Sequence, residues 1–336
     1  MARAKKASVR LSSLSIGGAT FDLFIQTDAG TVEHDGQRVL HLPLGGKIPA
    51  KTVHGRSGGG ACNTSTGLRR LGFDSGLCAV IGDDQWGHLV LDQLDKEGVN
   101  DGDVTMSEGD TTGFSLIFSA ADGERVIVSG AGANTHLRPV TLDADMLKAV
   151  DVVYLNRLQP GSDALELSIT DALADSKARL TWNPGGSQVG EGLADPENKK
   201  LLARTDVLLL NREEALAFSG ASDVRAALKL FCEGGATVAC ITDGKNGAMA
   251  TDGTRLYSCP ILPAPVVDTT GAGDAFGTGL TWALATGHDL PTSLLAGTIN
   301  GASVVGAIGA QPGLLTDTQM HTALRSAPIS VEETTL

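Results

Sequence analysis

An aspartate behind a glycine-rich turn is the strongest candidate for chemistry in this chain of 336 residues. Asp274 directly follows Gly271, Ala272 and Gly273, and the apolar residues beyond it recur at helical spacing. The free backbone N–H groups at the start of such a helix favour an anion, for example a transferring phosphoryl group. A carboxylate beside that anion is repelled by its charge, so its presence there indicates a function. A suitable function is to accept a proton from an attacking hydroxyl. Taken alone, the four residues are equally compatible with an ordinary helix start that has Asp in its first turn.

The residues around this turn make the pattern more specific. Two valines at 266–267 end a predicted strand, and residues 268–276 have the sequence DTTGAGDAF. This string resembles the second signature of the ribokinase-like (PfkB) carbohydrate kinases. The resemblance implies that Asp274 is the catalytic base and that the amides of residues 271–273 form an anion hole.

The composition excludes several classes of function. The net charge of −13 argues against a general attraction to nucleic acid or to anionic membranes, so no nucleic-acid partner is expected. No segment approaches the roughly 20 apolar residues that a membrane span needs. The five cysteines are odd in number and show no C-x-x-C spacing, which favours reduced thiols over disulfides or a zinc site. We therefore expect a cytoplasmic protein without a membrane partner.

The start of the chain argues against a dehydrogenase. A first predicted strand at residues 9–17 leads into a glycine pair, but the dinucleotide motif G-x-G-x-x-G is not completed and no helical pattern follows. Residues 21–25 and 39–42 instead have the pattern of strands separated by a polar turn. In the ribokinase-like family this interval supplies part of a β-sheet lid, and the resemblance implies that Asp22 binds substrate hydroxyls. An Asx turn at the strand end is the alternative for Asp22.

A second glycine-rich segment, SGGGACNTS at residues 57–65, resembles the first signature of the family. Glycines let a ligand lie against the backbone, and an asparagine side chain offers both a donor and an acceptor to a polyol. The resemblance implies that Gly59, Gly60 and Asn63 bind substrate. Ribokinases usually carry Lys where Gly60 stands, so the segment departs from a ribose-specific pattern. Residues 82–87 match the family's G-x-D-x-x-G turn, for which a structural role is expected.

Short apolar runs alternate with helical stretches in the second half of the chain, at residues 152–155, 180–182, 207–210 and 238–241. Strands that are apolar on both faces and joined by helices indicate a parallel sheet covered on both sides, whose ligands bind at the carboxyl ends of the strands. In the family, an N-x-x-E motif is associated with the magnesium–phosphate network and a T-x-G-x-x-G motif with the nucleotide phosphates. The resemblance implies that Asn211 and Glu214 act at the Mg²⁺ site. It implies that the nucleotide is bound by Asn211, Thr242, Gly244 and Gly247. Asn156 is the implied substrate-binding residue, at a position where ribokinases often have Glu.

The motifs occur in the family's order, so the resemblance covers nearly the whole chain. The fold that it implies is α/β: a ribokinase-like three-layer fold with a mainly parallel central sheet and a small β-sheet lid. The kinase domain is expected at residues 9–320, with lid segments at about 21–55 and 108–130 inserted. Residues 1–8 and 325–336 are expected to be flexible tails.

The C-terminal part matches the family more loosely. Asn300 falls in a small-residue helix that resembles the segment bordering adenine in relatives, which makes it a candidate nucleotide-binding residue. In many relatives a K⁺ ion lies beside the anion hole. Here Asp268 and Thr270 are the implied ligands from the turn, and Gly309 with its neighbours offers backbone carbonyls. Gly313 stands where ribokinase has Ser, so one oxygen ligand is missing from that pattern.

The sequence therefore predicts ATP- and Mg²⁺-dependent phosphorylation of a hydroxymethyl group on a sugar or sugar acid, by a homodimer formed through the exposed edge of the lid. Two alternatives stay open. The first is a nucleoside kinase, which would keep every motif and could stack a base on Phe21, Phe24, Phe114 or Phe118. The second is a non-enzymatic, sugar-sensing relative, which should have lost the catalytic base, whereas Asp274 is present in this chain. The sequence specifies neither the acceptor nor the hydroxyl that is phosphorylated.

Overall fold

Short apolar runs and the helices between them build a layered α/β fold. A computed structural model of the protein describes residues 10–120, 124–138, 142, 144–160 and 163–336. The strands are β1 (Ser12–Ile16), β2 (Thr20–Thr27), β3 (Thr31–His34), β4 (Gln37–Leu40), β5 (Ala50–Gly58), β6 (Asp74–Gly82), β7 (Asn100–Ser107), β8 (Gly113–Ser119), β9 (Arg125–Gly130), β10 (Val152–Leu155), β11 (Arg179–Trp182), β12 (Val207–Asn211), β13 (Val238–Thr242), β14 (Ala248–Thr251), β15 (Arg255–Cys259) and β16 (Glu332–Thr335). The helices are α1 (Gly60–Arg70), α2 (Gln85–Glu97), α3 (Ala144–Ala149), α4 (Asp163–Ala174), α5 (Ser187–Glu191), α6 (Pro196–Arg204), α7 (Arg212–Ser219), α8 (Val224–Glu233), α9 (Ala272–Ala285), α10 (Leu290–Val304) and α11 (Asp317–Ser326), with 3₁₀ helices at Gly132–His136 and Gly244–Asn246.

The central sheet has ten strands in the order β16-β15-β14-β13-β12-β11-β10-β1-β6-β7. The seven strands from β13 to β7 run parallel. Strands β14, β15 and β16 extend the sheet with antiparallel pairing. The four apolar runs predicted as parallel strands form β10, β11, β12 and β13. The prediction of a mainly parallel central sheet is therefore confirmed.

Helices cover both faces of the sheet because alternate residues of its inner strands are buried on opposite sides. In β10, Val153 and Leu155 pack with α4, α6, α7 and α8. Val152 and Tyr154 of the same strand pack with α1, α9, α10 and α11. This burial on both faces produces the three layers. No helix among the described residues has the length and apolar character needed to cross a membrane.

A second sheet of four strands, in the order β5-β2-β8-β9, forms no ladder with the central sheet. Its inner strands β2 and β8 are parallel, and its outer strands pair antiparallel with them. The strands come from residues 20–58 and 113–130, and β3 and β4 form a separate hairpin within the first of these segments. We call the four-stranded sheet the lid. Residues 121–123, inside the second predicted lid segment, lie outside the described residues.

The strand predicted at residues 266–267 is wrong. The segment before the glycine-rich turn is irregular, and the side chains of Val266 and Val267 are largely exposed. Pro263 and Pro265 lack the N–H groups that strand pairing needs. The Val267 N–H instead donates to the carbonyl of Val305 at 2.7 Å. The turn is therefore attached to the end of α10 rather than to the sheet.

The flexible tail predicted at residues 325–336 is also wrong for its second half. Helix α11 ends at Ser326, and the chain then returns to pair β16 with β15 at the edge of the central sheet. An ion pair of 2.7 Å joins Arg255 to Glu333 across these two strands. A short polar edge strand resembles a loop in the sequence, because it needs no apolar pattern. The tail predicted at residues 1–8 lies outside the described residues.

Asn300, predicted to bind nucleotide, is a structural link within the helical layer. It is fully buried in α10. Its Nδ2 donates to the Ala275 carbonyl at 2.8 Å and to Oγ1 of Thr278 at 3.0 Å. Its Oδ1 accepts a hydrogen bond of 3.1 Å from the N–H of Leu315. The prediction is therefore wrong, because both ends of this amide are used to join α9 to α10 and to the segment that leads to α11.

Replacing Asn300 by Ala should destabilise the fold rather than weaken nucleotide binding. The change removes three buried hydrogen bonds and leaves main-chain groups unpaired, so we expect the free energy of unfolding to fall by about 2–4 kcal/mol. Urea denaturation followed by circular dichroism measures this loss. Asn246→Ala alters an exposed amide and is the control, with an expected change below about 0.5 kcal/mol. A raised ATP KM with unchanged stability would return Asn300 to the nucleotide site.

Candidate active site

A cleft of about 500 Å³ lies between the lid and the carboxyl ends of the central strands. Residues that follow or end β10, β11, β12 and β13 form one wall, as expected for a parallel sheet. The lid contributes Phe114, Ser115 and Ser129 to the opposite wall. The predicted site residues that line the cleft are Gly59, Gly60, Asn156, Asn211, Glu214, Thr242, Gly273 and Asp274.

Asp274 lies in the first turn of α9 and faces this cleft. Its Oδ2 accepts a hydrogen bond of 2.8 Å from Nδ2 of Asn63 in α1. Burial raises the pKa of the Asp274 carboxyl to about 6, and the hydrogen bond from Asn63 offsets only part of this effect. A carboxylate whose pKa approaches neutrality is suited to take up a proton and to release it again.

Asn63, predicted to bind the acceptor, is used inside the protein. It is buried and does not line the cleft. While its Nδ2 donates to Asp274, its Oδ1 accepts a hydrogen bond of 3.3 Å from Nε2 of Gln311. A direct contact between Asn63 and the acceptor therefore stays a prediction. Asn63 orients the Asp274 carboxylate and stabilises its ionised form.

The turn before α9 offers two amides, rather than three, to an anion. Within the described part of the chain, the N–H groups of Gly271 and Gly273 have no hydrogen-bond acceptor. The N–H of Ala272 is directed to the carbonyl of Thr269 at 3.3 Å. The amide of Ala272 thus differs from the other two amides of the predicted anion hole, because its hydrogen bond closes the turn.

The two glycines of this turn have different requirements. Gly271 has a φ of 75°, and a Cβ at this position would overlap Ala310. A side chain at Gly271 is therefore excluded by the fold. A Cβ at Gly273 would meet no atom within 4 Å, and Gly273 lines the cleft. A side chain at Gly273 would therefore project into the space that a ligand needs.

One wall of the cleft forms where α1 begins against the end of β10. Gly59 has a φ of 88°, and a Cβ at Gly60 would lie 3.0 Å from Oδ1 of Asn156. Asn156 is 2% exposed, and its Nδ2 donates to Oγ1 of Thr64 at 3.0 Å. Its Oδ1 is buried and accepts no hydrogen bond from any described residue. Because an unpaired buried acceptor is costly, a hydroxyl of a bound ligand would stabilise this wall.

Asp22 lies behind the lid side of the cleft rather than on its surface. It is buried in β2, and Oγ1 of Thr20 donates to its Oδ1 at 3.1 Å. Burial raises the pKa of Asp22, and hydrogen bonds from Ser115 and Thr20 partly offset this effect. Thr20 and Ser115 line the cleft themselves. Asp22 thus lies beside the cleft without lining it, and its role in binding substrate hydroxyls stays a prediction.

Asn211 and Glu214 begin α7 as a capping box. Oδ1 of Asn211 accepts from the Glu214 N–H at 2.9 Å, and Oε2 of Glu214 accepts from the Asn211 N–H at 3.0 Å. Both residues line the cleft. The box holds the Glu214 side chain and uses one of its carboxylate oxygens, which leaves Oε1 for a ligand.

Thr242 lines the cleft at the end of β13, whereas Gly244 and Gly247 are set back from it. Both glycines have positive φ angles, of 49° and 90°. A Cβ at Gly247 would overlap the carbonyl of Cys259. These two positions require glycine for the turn between β13 and β14, whatever that turn binds.

The predicted potassium ligands are paired with protein groups. Oδ1 of Asp268 accepts hydrogen bonds from the N–H and Oγ1 of Thr270, at 3.0 and 2.8 Å. Its Oδ2 accepts from the N–H of Gly309 at 2.9 Å. Arg125 of the lid forms an ion pair of 3.1 Å with the same carboxylate. In this structure a guanidinium neutralises Asp268, and Gly309 directs its N–H to the carboxylate, so the assignment of K⁺ to Asp268, Thr270 and Gly309 stays a prediction.

Sequence reasoning missed several polar residues that line the cleft, among them Asn134 and Arg157. Arg157 follows β10, and its place at the carboxyl end of a parallel strand was the signal that could have found it. Cβ atoms at Gly185 and Gly186 would each lie 2.9 Å from the Arg157 side chain, so the two glycines make room for it. Asn134 bonds both Ala19 main-chain groups from a 3₁₀ helix, a role without a sequence signal.

Gly273→Val should abolish turnover without harming the fold. The side chain would enter the cleft beside the anion-binding amides, so we expect kcat to fall by at least about 100-fold with the melting temperature within about 2 °C of wild type. Gly271→Val is the matched variant and should unfold at a clearly lower temperature, since its side chain would overlap Ala310. Differential scanning fluorimetry and an ADP-release assay measure the two effects. Normal turnover of Gly273→Val would show that the phosphate site lies elsewhere.

Comparisons with known proteins agree with this geometry. The model of the family described as "pfkB family carbohydrate kinase" matches residues 33–317. An uncharacterized sugar kinase of Archaeoglobus fulgidus is 29% identical over 249 residues, which cover 74% of this chain and 98% of the relative. An ATP-dependent ribose-1-phosphate kinase of Halopiger xanaduensis is 27% identical over 275 residues, which cover 82% of this chain and 89% of the relative.

A solved structure shows the same fold. Arabidopsis thaliana ribokinase complexed with ribose and ATP superposes with a TM-score of 0.79 at 22% identity, covering 95% of this chain and 100% of the ribokinase chain. The ribokinase-like fold predicted from the motifs is thereby confirmed. Since the family model spans well over half of the sequence, the chain belongs to the pfkB family of carbohydrate kinases and is a phosphotransferase that acts on an alcohol group.

Proposed function

We propose that the protein transfers the γ-phosphoryl group of ATP to a hydroxymethyl group of a sugar or sugar acid. The observation that carries this proposal is the position of Asp274, a carboxylate of raised pKa beside the amide of Gly273 in a cleft. An attacking hydroxyl needs a base to take its proton and an anion site for the group that it attacks. Adjacent residues at the start of α9 supply both.

Each residue has a distinct part in this transfer. The acceptor hydroxyl gives its proton to Asp274 as its oxygen attacks the γ-phosphorus, and the bond from that phosphorus to the bridging oxygen breaks to leave ADP. Asn63 keeps Oδ2 of Asp274 hydrogen-bonded, so that Oδ1 faces the acceptor. The amides of Gly271 and Gly273 stabilise the charge on the transferring group. The unpaired Oδ1 of Asn156 accepts a hydrogen bond from a second hydroxyl.

Glu214 is suited to hold an Mg²⁺ ion that accompanies ATP. In the described part of the chain, no group of three or more His, Cys, Asp or Glu side chains is arranged to hold a metal by itself. Mg²⁺ usually keeps several waters and binds through one or two carboxylates and substrate phosphates. The remaining oxygen of Glu214, held by its capping box with Asn211, fits that requirement. When bound, the ion would neutralise phosphate charge.

The lid supports the proposals about water and assembly. It covers the cleft from the side opposite the central strands, so a closed lid keeps water from attacking ATP. Its edge strand β9 exposes Val126, Ile127 and Val128 in succession. An apolar sheet edge of this kind pairs readily with another chain, and we propose a homodimer through the lid. The five cysteines are free thiols, as suits the reducing cytoplasm that we propose as its location.

A sugar acceptor is favoured over a nucleoside. A relative that matches 82% of this chain is named for ribose 1-phosphate. Of the four phenylalanines considered for stacking a base, only Phe114 lines the cleft, whereas Phe24 is buried and Phe21 stacks on Trp86 at 6.4 Å. Phe114 keeps a nucleoside acceptor as the second candidate, since one aromatic face is enough to stack a base.

A panel of ribose, fructose, 2-keto-3-deoxygluconate and adenosine should distinguish the two candidates. We expect one of the three sugar compounds to give the largest kcat/KM in a coupled ADP-release assay, because the wall around Asn156 offers polar atoms to hydroxyls. Phosphorus NMR of the product should show a phosphate on a hydroxymethyl carbon. The largest kcat/KM with adenosine would establish a nucleoside kinase instead.

Asp274→Asn should remove the base while keeping the shape of the side chain. We expect kcat to fall by about 10²–10⁴-fold with little change in ATP KM. The variant should also be as stable as wild type at pH 7.5 or more stable, because burial disfavours the ionised carboxylate that it removes. Asp175→Asn, at an exposed carboxylate outside the cleft, is the control. Retention of more than about a tenth of the wild-type kcat would exclude Asp274 as the base.

The pH dependence of the wild type tests the same assignment independently. The pKa of Asp274 is raised to about 6, so the carboxylate is ionised above this pH and protonated below it. The rate should therefore be constant above pH 7 and fall about tenfold for each pH unit below about 6. The same group affects stability in the opposite direction to the rate. The folded state loses stability as the pH rises through about 6, because the Asp274 carboxylate then becomes ionised where burial disfavours its charge. A rate that stays constant down to pH 5 would contradict the assignment.

A further inference from the structure

Arg125 connects the lid to the turn that precedes the anion hole. It is the first residue of β9 in the lid. Its Nη1 lies 3.1 Å from Oδ1 of Asp268, and its Nη2 donates to Oγ1 of Thr269 at 2.8 Å. These partners follow Arg125 by 143 and 144 positions in the sequence. A single side chain therefore joins two parts of the molecule that share no strand pairing.

Asp268 is the residue through which this contact acts. Its side chain is 8% exposed, and its carboxylate accepts hydrogen bonds from Thr270 and Gly309 as well as from Arg125. Among the residues that the structure describes, Arg125 is the only cation within ion-pair distance of Asp268. A buried carboxylate without a counter-charge is costly. Without Arg125, Asp268 would also place a negative charge close to the turn where phosphoryl charge develops.

Arg125 also restrains the backbone of the turn. The Thr269 side chain accepts its hydrogen bond, and the Thr269 carbonyl accepts the N–H of Ala272 at 3.3 Å. The residues immediately before Gly271 are thus held from the lid side by Arg125 and from the other side by the start of α9. If the lid moves away, both restraints from Arg125 are lost together.

We propose that Arg125 is a positioning residue for phosphoryl transfer, which brings a guanidinium to the phosphate-binding turn when the lid docks and so completes the anion hole. Arg125 does not line the cleft, and it acts through Asp268 and Thr269 rather than on the substrates. The inference rests on the proposed transfer from ATP. It adds that the cation required at this turn is supplied by the chain itself, and only in the docked state of the lid.

Arg125→Ala and Arg125→Lys test this role, with Arg38→Ala as the matched control. Arg38 belongs to β4, donates to Oγ1 of Thr31 at 2.8 Å and lies 3.5 Å from Glu124, so it is an exposed arginine that does not reach the turn. We expect Arg125→Ala to lower kcat by about 10–100-fold with ATP KM changed less than about threefold. Arg125→Lys should retain an intermediate kcat, and Arg38→Ala should match wild type.

Three further measurements separate positioning from a purely structural link. Guanidinium chloride at tens of millimolar should raise the kcat of Arg125→Ala at least about threefold, whereas NaCl at equal ionic strength should not. The ratio of acceptor-independent ATP hydrolysis to transfer should rise in Arg125→Ala, because its lid no longer docks on the turn. Wild type should show equal rates in KCl and NaCl, since its cation is covalently part of the chain.

The outcomes distinguish this inference from the function on which it rests. Active wild type together with an unchanged kcat in Arg125→Ala would overturn the inference and leave the proposed transfer intact. Absence of transfer to every acceptor of the panel by wild type would overturn the transfer itself. A loss of activity in Arg125→Ala and Arg125→Lys that matches a loss of folded protein, with no rescue by guanidinium, would also overturn the inference. A much higher rate of wild type in KCl than in NaCl would also overturn the inference.

Discussion

The site depends on keeping one buried carboxylate ionised and correctly aimed. Asp274 receives a single side-chain hydrogen bond, from Asn63, and the orientation of Asn63 is fixed by Gln311. The main-chain carbonyl of Gln311 accepts in turn from Arg70 at 2.7 Å, and Arg70 is paired with Glu97 at 2.6 Å. The orientation of the Asp274 carboxylate is therefore set by a chain of polar contacts that starts at an ion pair between α1 and α2. Each contact has fixed donor and acceptor identities, so the carboxylate has little freedom to turn away.

Close helix packing makes this chain of contacts possible. Asn63 and Asp274 lie on different helices, and their side chains meet only because α1 approaches α9 closely. A Cβ at Gly67 of α1 would lie 2.8 Å from Thr278 of α9. On the other side of α9, a Cβ at Gly279 would lie 2.6 Å from the carbonyl of Ala296 in α10. The small residues of these helices therefore serve the site, because larger ones would separate the base from its partner.

The sequence was sufficient for features that depend on local pattern. The apolar runs predicted the parallel strands, and the string from residue 268 to 276 located two residues that line the cleft, Gly273 and Asp274. Asparagines were the hardest residues to interpret, because a motif shows that an amide is needed but not whether its partner is a ligand or the protein. Asn156 lines the cleft and keeps a buried oxygen without a partner among the described residues, whereas Asn63 and Asn300 form hydrogen bonds inside the protein. The ion pair of Arg125 could not be predicted, since it joins residues 143 positions apart and follows no period in the chain.

The two outer strands of the central sheet both present acidic side chains, one of which, Glu333, is paired with Arg255. The outer strand β16 presents Glu332 and Glu333, and the opposite outer strand β7 presents Asp101 and Asp103. If two molecules met edge to edge, the main chain of β16 could bond to that of β7 and extend the sheet from one copy into the next. Carboxylates would then face carboxylates across the new ladder, and their repulsion disfavours such growth. The acidic side chains of β16 thus disfavour open-ended extension of the ten-stranded sheet from one copy into the next.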